Sequence, residues 1–504
     1  MKRASLLLVL SASCLSTVNP NSGYRFACDG SSACPSGQLC VANLCTATVD
    51  GGTDAGSAGG TDGGLDAGLN AGLDAGVDAG PDVGNDAGSK ADGGLVACSS
   101  SRVLQTPRLL TTTDAGVTGV GASGMVSGDF NEDGFLDVVV TNTDVSSYSV
   151  LLNDHDGGFV ISSYPTPVPC DAVATLLLDP DQHLDLAMVS FKYDSVVLLK
   201  GNGDGTFGTP NSVPLLPGEQ VDAGVYGPSA ILAADFNGDH RDDLVILDET
   251  SNDVRIWLSF PDGGLQPSQT LTLPMGFTIA LRGMAAGDIN RDSYADLVLA
   301  SSGGDLFQFL STGKPDSGVG SLGGVPTPLA GVASDHPTCP YRGNQAVTLV
   351  DLNGDGWLDA LSAEADQYLA VVFMNDGAGS LQVSNASFGV GLTDGGGPSA
   401  IAVADFNGDG ILDIATANGE GFWTGGGQVC AWPPDDYGNT LSLLLGLPDG
   451  GYADPMLQVL AESAPGSLLA ATMNRGQSAQ SLLVSFQPED GSGGGQVIYF
   501  PSCR

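Results

Sequence analysis

Basic side chains are scarce in this chain. It carries 16 Lys and Arg against 58 Asp and Glu, a net charge of −42 over 504 residues. Nucleic-acid binding relies on Lys and Arg to neutralise phosphates, so the composition speaks against that partner. Aromatic residues are few, at 6 %. Beyond the N-terminus no apolar run reaches the roughly 20 residues that a membrane-spanning helix needs. Catalytic signatures are missing too: there is no nucleophile elbow, HExxH, phosphate loop or dinucleotide fingerprint. The four His are scattered. His183 and His240 are expected to face solvent, His155 falls in a turn, and His336 beside Asp335 is the one to watch. A carboxylate pair for sugar chemistry stays open, with Asp435 and Asp436 as first candidates.

Gly and Asp are abundant instead, and they recur in one nine-residue stretch, Asp405-Phe-Asn-Gly-Asp-Gly-Ile-Leu-Asp413. Side-chain oxygens stand at positions 1, 3, 5 and 9: Asp405, Asn407, Asp409 and Asp413. The position-7 carbonyl of Ile411 can join them. Hard oxygen donors alternating along a tight loop suit Ca²⁺. Short apolar runs flank the stretch, so it reads as the turn of a calcium-holding β-hairpin rather than an EF-hand. The same set recurs at Asp129, Asn131, Asp133, Phe135 and Asp137, then at Asp235, Asn237, Asp239, Arg241 and Asp243. It returns at Asp288, Asn290, Asp292, Tyr294 and Asp296, and at Asp351, Asn353, Asp355, Trp357 and Asp359. Two copies are worn. One keeps Asp179, Asp181 and Asp185 but has Leu177 at position 1; the other, Thr472 to Gln480, keeps only Asn474. Seven copies roughly 50–65 residues apart fit one four-stranded sheet per repeat.

The chain begins with Met1-Lys2-Arg3, a short apolar stretch, and small residues before Cys14. This resembles a bacterial lipoprotein signal over 1–13, with Cys14 lipidated; an ordinary secretory signal is the alternative. Export to the outer membrane or cell surface, or secretion, is the expectation. Within a small cysteine-rich segment, 14–46, Cys28, Cys34, Cys40 and Cys45 read as two disulfides of unassigned pairing. Residues 47–97 repeat an Asp-Ala-Gly beat without aromatics. Such a stretch is expected to stay unfolded and act as a spacer.

From 98 to 504 the Asp-Phe-Asn-Gly-Asp-Gly-x-x-Asp loops resemble the FG-GAP (VCBS-type) repeats of integrin α-like propellers. The resemblance implies an all-β fold: a seven-bladed propeller with calcium in its A–B loops. The seventh repeat ends after three strands, so 101–110 is expected to supply its fourth. Cys98 and Cys503 would then meet in a disulfide, contributing about 4–5 kcal/mol at most.

Strand alternation places A–B and C–D turns on one face and D–A and B–C connections on the other. Two long loops fall on the second face, one around Cys339, Tyr341 and Arg342, the other holding Trp423, Cys430, Trp432 and Tyr437. A third carries Tyr226. Long loops on a rigid scaffold are where binding residues gather. Tyr341, Arg342, Trp423, Trp432 and Tyr437 are therefore the candidate ligand residues, although the aromatics could instead pack the loops down. Cys339 and Cys430 are a candidate disulfide, and Cys170 is either free or paired with one of them. The expected function is non-catalytic adhesion to a glycan or protein by a monomer. A carbohydrate-active enzyme of lyase type and a passive surface protein are the alternatives.

Overall fold

A computed structural model describes residues 16–17, 38–41, 44–47 and most of 104–502. Within that last span, 105–107, 112–121, 216–226, 273–280, 312–321, 330–343, 391–396, 420–439, 461–463, 474–478 and 488–495 lie outside the described residues, with a few single turn positions. The chain divides into two units, residues 19–92 and residues 1–18 with 93–504. In the smaller unit, Gln38–Val41 and Leu44–Ala47 form an antiparallel hairpin whose backbone register sets Cys40 opposite Cys45. Cys14, Cys28, Cys34, Cys98, Cys339, Cys430 and Cys503 lie outside the described residues.

The larger unit is all β: seven sheets, each in meander order A-B-C-D. The sixth blade shows the pattern. Strand A is Pro398–Ala404, strand B Asp413–Asn418, strand C Thr440–Leu444 and strand D Met456–Val459. The sixth sheet carries one further two-residue edge strand, Ser16–Thr17. The seventh sheet is Ala464–Ala471, Ser481–Gln487 and Gln496–Phe500, completed by Arg108–Thr111 from before the first blade. An isolated bridge between Leu104 and Ser502 extends that pairing. The expected donor strand is thus the observed one, a few residues further along.

Strand B explains why a ring forms. In blades one to six every residue of strand B is buried. A sheet covered on both faces reads as a continuous apolar run, and only a neighbour on each side can cover it. The ring closes the same way. Val138, Val140 and Leu151 of blade one pack with Leu483, Val497 and Tyr499 of blade seven. Ser467 Oγ donates to the Ser123 carbonyl at 2.7 Å, joining the two A strands. Neighbouring A strands approach closely at Gly124, where an added Cβ would stand 2.8 Å from the Ala172 Cα. Strand A of every blade but the second carries a register shift near its start. Such bulges bend a strand and sharpen its twist.

Candidate functional site

The nine-residue loops lie where strand alternation placed them, at the A–B corners. Their geometry shows a division of labour. Position 9 opens strand B and is buried. One of its carboxylate oxygens accepts the position-2 N–H, as in Phe406 to Asp413 at 2.9 Å. The other accepts an N–H from the C–D corner of the same blade, as in Gly446 to Asp413 at 2.9 Å. The same clasp recurs at Asp137, Asp185, Asp243, Asp296 and Asp359. Burial away from water disfavours the charged form. It pushes Asp137 and Asp296 up to about 6, and Asp243 and Asp413 up to about 7, and it raises Asp185 and Asp359.

Position 1 folds its carboxylate over the loop's own backbone. Asp405 accepts the N–H groups of Gly408, Asp409 and Gly410 at 2.6, 3.1 and 2.8 Å. Asp235 and Asp351 do the same at their loops, and Asp288 accepts the N–H groups of Asp292 and Ser293. Position 5 accepts the position-7 N–H and the position-3 amide, as Asp409 does from Ile411 and Asn407. Positions 4 and 6 have positive φ, including the non-glycine residues Glu132, Arg291, His240 and Ser293. The loop is thus held open by its own hydrogen bonds.

Do these residues fit a hard cation? The side-chain donors are oxygens throughout, apart from the position-3 amide nitrogen. In the first loop Asp129 Oδ1 is buried and accepts no hydrogen bond, leaving a carboxylate oxygen for a cation. Among the described residues no three Asp, Glu, His or Cys side chains already converge as an ion cage. By donor chemistry the five intact loops fit calcium, with position 9 doubling as a structural clasp.

The second loop is built differently. Leu177 replaces the first Asp, and Lys200 Nζ lies 2.7 Å from Asp179 Oδ2. That hydrogen bond holds the Asp179 carboxyl below the usual range and raises the Lys200 amine. His183 does not simply face solvent, because its Nδ1 meets Glu132 of loop one. His240 does face solvent, with a side chain 98 % exposed. His155 stacks on Phe135 with ring centroids 4.1 Å apart and reaches Asp133 at 2.8 Å.

Loop four is tied to loop five in the same way that loop one is tied to loop two. Arg291 lies over the Trp357 ring, 4.2 Å from its centroid, and donates to the Asp355 carbonyl. In the seventh repeat strand B begins at Ser481, so the aligned Gln480 is not position 9. Ser481 Oγ accepts the Ser502 N–H at 3.1 Å, doing half the work of the clasp.

On the opposite face the described residues form ion pairs between blades. Arg255 sits 3.0 Å from Asp248 and 3.5 Å from Asp194 of the preceding blade. Arg282 meets Glu249. Sequence reasoning missed these residues, because nothing local shows that Asp194 and Glu249 come to lie beside Arg255 and Arg282 of the next blade. Cys170 is a buried free thiol, pushed up to about 12 by burial and donating to the Val168 carbonyl. Tyr226, Tyr341, Arg342, Trp423, Trp432 and Tyr437 lie outside the described residues, as do His336, Asp435 and Asp436.

The family model of the FG-GAP-like repeat matches residues 178–246, 235–299 and 351–416. The chain is a seven-bladed propeller of FG-GAP-like repeats. No curated protein matches it in sequence. Among solved structures it is similar to a virginiamycin B lyase from Staphylococcus aureus. The identity there is 14 % and the TM-score 0.46, over 79 % of this chain and 99 % of that one. It is also similar to an Agrocybe aegerita lectin that recognises non-reducing terminal N-acetylglucosamine. Here the identity is 18 % and the TM-score 0.43, over 69 % of this chain and 82 % of that one. The FG-GAP propeller fold suggests a ligand-binding or adhesion module, and its family is generally non-catalytic. Among the described residues no helix is long and apolar enough to cross a membrane.

Proposed function

We propose that this FG-GAP propeller is an exported, surface-anchored protein that binds calcium on one face and a glycan or protein ligand on the other, without catalysis. One observation carries the ligand face. The strand ends that bracket the long insertions, Leu329 with Asn344 and Asn418 with Thr440, open away from the nine-residue loops. Both insertions therefore rise from the same end of a rigid ring, where Arg255 and Arg282 lock neighbouring blades together. In the sequence, Tyr341 and Arg342 belong to one of these insertions and Trp423, Trp432 and Tyr437 to the other, and long loops on a rigid scaffold are where binding residues gather.

Calcium is assigned to the loops at 129–137, 235–243, 288–296, 351–359 and 405–413, where oxygen donors alternate on a pre-shaped turn. Its role is to neutralise clustered carboxylates and stiffen the corners. The anchor is a lipid on Cys14.

Retention of the full chain on polysaccharides and cell-envelope fractions, with calcium present, tests the binding role. The expected result is retention without released sugar, lost when 420–439 is shortened. Released sugar would overturn the non-catalytic reading. Retention that survives the shortening would move the site elsewhere on the ring.

A further inference from the structure

We propose that the second blade has exchanged its metal ion for an amino acid: the Lys200 ammonium takes the place of calcium in the loop 177–185. This rests on the calcium reading of the five intact loops.

Beside Pro180, which lacks the positive φ of position 4, three departures from the repeat bear on the ion in this blade. The first is Leu177 at position 1, a side chain that cannot ligate a cation. Its N–H donates to Asp242 Oδ2 of the next loop at 3.0 Å, so the backbone keeps its course without the missing carboxylate. The second is Asp179 at position 3, where the five intact loops have Asn131, Asn237, Asn290, Asn353 and Asn407. One carboxylate has in effect moved from position 1 to position 3.

The third departure is the lysine. The clasp of position 9 fixes the C–D corner against the loop, through the Gly201 N–H on Asp185 at 2.8 Å. The residue before that N–H therefore holds a constant place in every blade. Elsewhere it is Leu152, Leu258, Leu310, Met374, Leu445 or, in the seventh blade, Pro501, all uncharged. In blade two it is Lys200, in a chain with only 16 Lys and Arg. Lys200 reaches Asp179 at 2.7 Å, and the Asp179 side chain is 13 % exposed. The neighbouring blade leaves room for it: a Cβ on Gly263 would stand 3.1 Å from Nζ. A loop that has lost its position-1 ligand thus gains a carboxylate and a cation that meet each other. Coincidental wear would remove ligands without supplying a counter-charge from another strand.

Native mass spectrometry of the full chain in calcium tests the exchange. Asp405→Asn should lose one calcium relative to wild type, and Asp179→Asn should lose none. Asp179→Asn should also lower the melting temperature by the same amount with calcium and after chelation. Pro180 holds position 4, where the intact loops have positive φ that proline cannot adopt, so the quadruple variant L177D/D179N/P180G/K200L rebuilds the intact pattern and should gain one calcium. Loss of one calcium in Asp179→Asn overturns the exchange while leaving the calcium loops standing. A quadruple variant that melts like wild type but gains no calcium also overturns it. Wild type that holds no calcium at all would sink the loop assignment itself, which is a separate failure.

Discussion

At the scale of single residues, the repeated Asp at position 9 carries more of the architecture than a ligand motif suggests. Its two oxygens join the loop to the opposite corner of the blade. Asp413→Asn keeps one acceptor but aims an amide N–H₂ at a backbone donor. Leaving such a buried donor unmatched costs about 1–3 kcal/mol. The variant should therefore melt lower even after calcium is removed, and equal melts in chelator would refute the clasp. The same buried carboxylates set a pH response. Asp137, Asp243, Asp296 and Asp413 sit at about 6 to 7 in the folded protein, above the roughly 3.9 of an unfolded Asp.

A group raised on folding favours the folded state below its unfolded value, and that contribution is lost as pH rises through the folded value. Calcium-stripped protein should gain stability as pH falls from 8 towards 5, read by thermal melts. Saturating calcium should reverse the trend, since protons then compete with the ion. A flat profile in stripped protein would contradict the burial argument. The sequence made the identity and spacing of these acids plain. It hid the clasp, whose partner lies as far off as Gly446, and it hid Lys200, because both depend on which corner faces which loop.

At the scale of strands and loops, the sequence was most legible where periodicity is strong. The apolar runs that flank 405–413 are strands as expected, and the borrowed strand Arg108–Thr111 pairs as anticipated. The seventh loop was misaligned by one residue. Its ligands have eroded, so the start of strand B at Ser481 had no Asp to mark it. The contacts of Arg255 with Asp194 and of Arg282 with Glu249 were invisible for a different reason: they join neighbouring blades, and no local pattern encodes that. Close approach of A strands gives an element-scale prediction. Gly124→Val should push strand A of blade one off Ala172, for a loss of about 1–3 kcal/mol typical of overpacking. A melt unchanged by that substitution would mean the strands have slack. Removing 101–111 should cost more, because it strips the outer strand from blade seven and exposes Tyr499, which blade one shares.

At the scale of the whole molecule, the ring has two unlike faces. One face is crowded with carboxylates that repel one another unless a cation intervenes, and the chain's −42 net charge makes that repulsion general. The other face is where the long insertions leave the sheets. Blades alone cannot bury strand B on both sides, so stability should be a property of the closed ring rather than of single repeats. If calcium holds the corners, its removal should be felt across the ring.

The account turns on the nine-residue loop being a calcium loop. Thermal unfolding of the full chain, in calcium and again after chelation, tests this most directly. A melting temperature that falls on chelation, and recovers when calcium but not magnesium is restored, is the predicted result. The same melting temperature under all three conditions would contradict it.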